Sequence, residues 1–67
     1  MNIGIIGLGL IGGSIAKAIK QVHAQNSFIT AYDLNADDLK AAYEEQIIDA
    51  IAPSIEQGFT NCAVIFI

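Results

Sequence analysis

The sequence has 67 residues, 54% of them hydrophobic, and a mean hydropathy of +0.52. At this length a chain buries only about 60% of its unfolded surface, so it reads as one small unit, a piece of a domain whose apolar faces something else covers. The net charge of −4, with three Lys and no Arg, excludes a nucleic-acid partner, which demands a basic face.

The opening run from Ile3 to Ala16 is apolar but has the marks of neither a signal peptide nor a membrane span. No Lys or Arg precedes it, Gly interrupts it at 7, 9, 12 and 13, and Lys17 arrives before the roughly 20 residues a span requires. No membrane partner is expected, and the expected location is cytoplasmic. The single cysteine, Cys62, lies in another apolar run, where it forms no intrachain disulfide and has no ligand cluster beside it. It reads as a small buried hydrophobe, and no metal site is expected.

Residues 2–7 form a short Ile-rich run, apolar on both faces as a central parallel strand should be. Gly4 within it marks close backbone packing. After a glycine-rich turn, Ile11, Ile15, Ala18, Ile19 and Val22 recur at spacings of three and four, with Lys17, Lys20 and Gln21 on the other side. This is an amphipathic helix whose lysines read as solvated residues in its C-terminal half, where the dipole favours positive charge. The polar stretch His23–Ser27 returns the chain to a second strand, Phe28–Tyr32, which Asp33 ends.

The next segment has the layout of a helix start: Asn35 caps, Asp37 and Asp38 complement the dipole, and Leu34 staples to Leu39. That helix runs to about Glu45, and its acids Asp37, Asp38, Glu44 and Glu45 read as solvated rather than as a catalytic pair. Ile47–Ala52 suits a brief third strand ended by Pro53. Ser54-Ile55-Glu56-Gln57 has the form of a capping box, which predicts one or two helical turns before Gly58. Cys62–Ile67 reads as a fully buried fourth strand. The elements run β-α-β-α-β-(short α)-β with right-handed crossovers, which predicts a partial doubly wound parallel α/β sheet of the Rossmann type in the order 3-2-1-4.

In such a sheet the ligand lies at the switch point between strands 1 and 4, beside Gly7-Leu8-Gly9-Leu10-Ile11-Gly12-Gly13-Ser14. Gly7 allows the tight turn, Gly9 lacks the Cβ that would hold the backbone off a pyrophosphate, and Gly12 lets the helix pack closely on the strand. The helix N-terminus then offers unpaired N–H groups to the phosphates without spending a basic side chain. Asp33 stands about 20 residues after Gly12, the offset of the carboxylate that accepts hydrogen bonds from the adenosine ribose. An acid there repels a 2′-phosphate, and the nearest cation in sequence is Lys40, so the expected cofactor is NAD rather than NADP. His23, the only histidine, falls at the far end of the helix, about 16 Å from the turn. It is not assigned as a catalytic base.

The turn and the following Ile15-Ala16-Lys17-Ala18-Ile19-Lys20 resemble the N-terminus of prephenate dehydrogenases and their arogenate-using relatives. The resemblance covers the whole chain, continuing through Ala31-Tyr32-Asp33, the Ile-rich third strand and Ala63-Val64-Ile65-Phe66-Ile67. It implies an NAD(P)-dependent oxidative decarboxylation in tyrosine biosynthesis, in which hydride leaves the ring carbon bearing the 4-hydroxyl of prephenate, carbon dioxide departs and 4-hydroxyphenylpyruvate forms. Residues 1–67 would then be the N-terminal part of a dinucleotide-binding domain, in a longer homodimeric protein whose small-molecule substrate is prephenate or arogenate. The family's catalytic histidine and substrate-binding arginine have no match here, so no catalytic residue is carried over. The carried-over cofactor positions are Gly7, Gly9, Leu10, Ile11, Gly12 and Asp33; Ser14 fits the pattern but takes no role. Related β-hydroxyacid-type dehydrogenases and reductases share most of the motif. Two readings therefore stand beside the first, another small-substrate dehydrogenase and a non-catalytic NAD-binding regulatory module.

Overall fold

A computed structural model describes residues 1–7, 9–23 and 26–67, with Leu10, Ile11, Gly12 and His23 given by their backbone alone. Leu8 of the glycine turn, and Ala24 and Gln25 of the loop expected over His23–Ser27, lie outside the described residues. The chain order is β1 (Asn2–Ile6), α1 (Gly9–His23), β2 (Phe28–Tyr32), α2 (Ala36–Glu44), β3 (Ala50–Ile51) and β4 (Val64–Phe66). The four strands form one sheet in the order β3-β2-β1-β4, every pair parallel, which is the partial Rossmann-type α/β arrangement.

Strand register decides where the core lies. Ile3 stands opposite Ile29 and Ile5 opposite Ala31, so these four side chains share one face of the sheet. All four are buried in one cluster with Ala16 of α1, Leu39 and Ala42 of α2, and Ile48. Both helices thus cover the same face. That follows from topology: two successive right-handed crossovers stepping in one direction put their helices on one side. The link from β3 returns past β1 to form β4, and it crosses the other face. There a Cβ built on Gly4 would overlap the ring of Phe59 and come within 3.2 Å of the Cys62 sulfur. Gly4 has no room for a side chain because the Phe59 ring packs directly against the strand there, which is the close packing its place in the run suggests. Phe59 and Ala52 are buried, but outside the main cluster.

Several elements differ from their sequence-based expectations. The third strand spans only Ala50–Ile51, because the amides of Ile47 and Ile48 both turn back to the Ala42 carbonyl, at 2.9 and 3.4 Å, and so belong to the exit of α2. Gln46 there has φ 62 and donates to the Tyr43 carbonyl at 3.1 Å, completing a Schellman motif with a non-glycine residue in the left-handed position. No helix forms over Ser54–Gln57: the capping bond from the Gln57 amide to Ser54 Oγ is made at 3.1 Å, but the few residues between Pro53 and Gly58 cannot offset the cost of nucleation.

Leu34 is 92% exposed, so it does not staple to Leu39, which faces the core instead. Among the described side chains of α1, Ala16 is the one buried, with Ile19 packed against the core, while Ala18 and Val22 lie exposed, so the contact with the sheet falls one position off the expected stripe. Val64, Ile65 and Phe66 are 37–42% exposed. The fourth strand, expected to be fully buried, is instead an exposed edge strand, with β1 as its neighbour on one side and no described strand on the other. Among the described residues no helix is long and apolar enough to cross a membrane.

Candidate functional site

The carboxyl ends of β1 and β2 carry the two halves of the expected fingerprint and bring them together. Gly7 follows β1 with φ 84, and its amide donates to the Tyr32 carbonyl at 2.8 Å. Gly9 opens α1 with φ 34. Both angles lie where side chains are disfavoured, so backbone shape alone calls for glycine at these two positions. A Cβ built on either would meet no described atom within 4 Å, so among the described residues nothing fills this side of the turn. Leu10, Ile11 and Gly12 fall in the first turn of α1, the part of a helix whose amides lack intrahelical acceptors.

Asp33 leaves the end of β2 and reaches across to that turn. Its Oδ2 accepts from the Gly9 amide at 3.4 Å and its Oδ1 from the Asn35 amide at 3.0 Å. The second bond closes a local turn that directs the chain into α2. Asn35, with extended backbone at φ −90 and ψ 102, then caps α2 as its sequence predicts, its Oδ1 accepting from the amides of Asp37 and Asp38 at 3.0 and 3.1 Å. The arrangement suits an anion bound by backbone amides with a hydroxyl-bearing group beside the carboxylate. An open, Cβ-free cradle at a helix N-terminus with an adjacent carboxylate fits a dinucleotide.

The other end of the sheet holds a feature that sequence reasoning missed. Lys20, expected as a solvated residue, is only 20% exposed and pairs with Asp49 at 2.6 Å. The same Asp49 oxygen accepts from the Ile29 amide at 2.7 Å, and the Asp49 amide donates to the Ile29 carbonyl at 2.8 Å. The signal was the lone acid in the otherwise apolar run Ile47–Ala52. This cluster borders an open concavity of about 710 Å³ with Tyr43, Glu44 and Gln46. It lies at the amino ends of the strands, away from the glycine turn. His23 ends α1 on that side too. Among the described residues no group of three or more His, Cys, Asp or Glu is placed to hold a metal ion.

No protein-family model matches the chain. Over 63 residues, 94% of its length, it is 40% identical to the prephenate dehydrogenase of Bacillus subtilis (strain 168). It spans 17% of that protein's length.

Proposed function

We propose that these 67 residues are the N-terminal part of the dinucleotide-binding domain of a longer NAD-dependent prephenate dehydrogenase. The observation that carries the reading is the meeting of Asp33 and Gly9 at the carboxyl ends of a parallel sheet in the order 3-2-1-4. The likeness to the Bacillus subtilis enzyme supports the dehydrogenase class and favours prephenate as the substrate, with arogenate the alternative. In this reading Gly7 and Gly9 shape the turn, the first-turn amides of α1 at Leu10, Ile11 and Gly12 hold the pyrophosphate, and Asp33 accepts from the adenosine ribose. When bound, the nicotinamide accepts the hydride that leaves the substrate ring as the carboxylate departs as carbon dioxide. The chain's own part is to hold and orient that cofactor; the general base and the substrate anchor lie elsewhere in the protein.

The test is made on the full-length protein, with kcat/KM measured for NAD and NADP, on prephenate and on arogenate, in the wild type and in Asp33→Ala. NAD preference in the wild type, lost in Asp33→Ala, is the expected result. Wild-type preference for NADP would overturn the cofactor assignment, and absence of turnover on both substrates would overturn the dehydrogenase assignment.

A further inference from the structure

We infer that Asp33 is also a positioning residue for the glycine turn: its carboxylate caps α1 from the neighbouring strand and fixes the backbone amides on which a phosphate would rest. The inference rests on the reading above and adds a role that does not pass through the ribose. A helix begins with amides that have no intrahelical acceptor, and a side-chain oxygen from the residue just before it normally takes one of them. The first turn of α1 has no acid, and Gly9, Leu10, Ile11 and Gly12 carry no side-chain oxygen of their own. The oxygen arrives instead from 24 residues away, where Asp33 Oδ2 meets the Gly9 amide.

The geometry around that contact is a brace. The Asn35 amide holds Asp33 Oδ1 at 3.0 Å, which steers the other oxygen toward α1. One residue earlier, the Tyr32 carbonyl holds the Gly7 amide at 2.8 Å. The turn is therefore tied to the end of β2 at two successive points, at Gly7 and at Gly9. Both glycines have positive φ, and a Cβ built on either would meet no described atom within 4 Å. Glycine has more backbone freedom to lose than any other residue, so a turn built on two of them needs an external tether to keep its amides aimed. A carboxylate beside a helix N-terminus is also favoured by the helix dipole. An ionised carboxylate offers about four lone-pair sites, so one group can brace the turn and still accept from a ribose hydroxyl.

The consequence is that loss of Asp33 weakens binding at the phosphates as well as at the ribose. The experiment uses the full-length protein and two probes, NAD and an NAD analogue whose adenosine ribose lacks both hydroxyls. Affinities are measured for the wild type, for Asp33→Ala, and for Asp49→Ala, a destabilised control at the opposite end of the sheet. The analogue is expected to bind Asp33→Ala about five-fold more weakly than the wild type, the scale of a lost helix cap, and to bind Asp49→Ala as it binds the wild type. Equal or tighter binding of the analogue by Asp33→Ala overturns the inference, since the carboxylate would then act through the ribose alone. An equal loss in Asp49→Ala also overturns it, by showing a general effect of lowered stability. Should Asp33→Ala fail to fold, Asp33→Asn, which keeps one oxygen for the Gly9 amide, repeats the comparison with a smaller loss expected and the same overturning result. No binding of NAD by the wild type would overturn the proposed function along with this inference, whereas NAD binding without the analogue effect overturns this inference alone.

Discussion

Replacing Asp49 by alanine should destabilise the fold far more than replacing its ionic partner. Asp49 stands next to Ala50, which pairs with Thr30, so it occupies the position facing Ile29 at the open end of the β2–β3 ladder. Its carboxylate takes the Ile29 amide at 2.7 Å and its own amide serves the Ile29 carbonyl, so the side chain extends the pairing by one residue. Alanine leaves that amide, at a fully buried Ile29, without its acceptor, and a hydrogen bond to a charged group is worth about 1.5–3 kcal/mol. The Lys20 contribution is smaller. With side-chain exposures of 20% and 29% the pair is partly screened, and such pairs contribute on the order of 0.2–1 kcal/mol. Asp49→Ala is therefore expected to cost about 2–3 kcal/mol, and Lys20→Met, whose loss leaves Asp49 its backbone bond, about 0.5 kcal/mol. Urea unfolding gives the totals, and hydrogen exchange of the Ile29 amide gives the local effect. A loss of about 2 kcal/mol at that amide speeds its exchange about 30-fold if local opening governs it. Equal costs for the two substitutions, or unchanged protection of the Ile29 amide in Asp49→Ala, would refute the argument.

Three further outcomes are expected. Gly4→Ala sets a methyl group into the buried Phe59 ring and should cost about 1–3 kcal/mol, part of it recovered by adding Phe59→Leu; a neutral Gly4→Ala in thermal unfolding would show that the ring moves freely. Gln46→Gly removes a left-handed penalty of about 1–2 kcal/mol and gives back part of it as chain entropy, for a net gain of about 0.5–1 kcal/mol; a lowered Tm would contradict this. The 67-residue chain by itself should self-associate through β4, whose apolar side chains and open edge are available for pairing, and Ile65→Lys should reduce the association in sedimentation; a monodisperse wild-type monomer at high concentration would count against it.

The parts of the fold legible in the sequence are those governed by local chemistry. Asn35 caps α2 because its side chain reaches amides two and three residues on, and the glycines at 7 and 9 mark a backbone that only glycine adopts easily. The strand order follows from handedness once the alternation of strands and helices is seen. What the sequence hid depends on neighbours distant along the chain. The capping box at Ser54 looks like a helix start, yet too few residues follow for the helix to propagate. Ile47 and Ile48 have the composition of a strand, but their amides are claimed by the end of α2. The apolar run at Cys62–Ile67 suggests burial, while its exposure depends on what lies on its far side. The approach of Asp33 to Gly9 was foreseeable as a spacing, but the brace supplied by the Asn35 amide was not, because backbone donors leave no mark in a sequence.

The division of the apolar interior into a main cluster and a separate Phe59 contact sets an order of release. The main cluster ties β1, β2, α1 and α2 into one cooperative body. By contrast, β4 and the link before it are outside that cluster, held by their register pairs with β1, by the bonds that Asn2 accepts from the Ala63 amide and donates to the Asn61 carbonyl, and by Phe59 and Cys62 against Gly4. Under mild denaturant or force that outer unit detaches first, and the remaining β-α-β-α body keeps its packing. Since the crevice between β1 and β4 is where an open sheet of this order receives its ligand, one wall of the crevice belongs to the main cluster and the other to the segment outside it. A bound molecule that touches both walls would act as a clasp, delaying the first step of unfolding rather than the last.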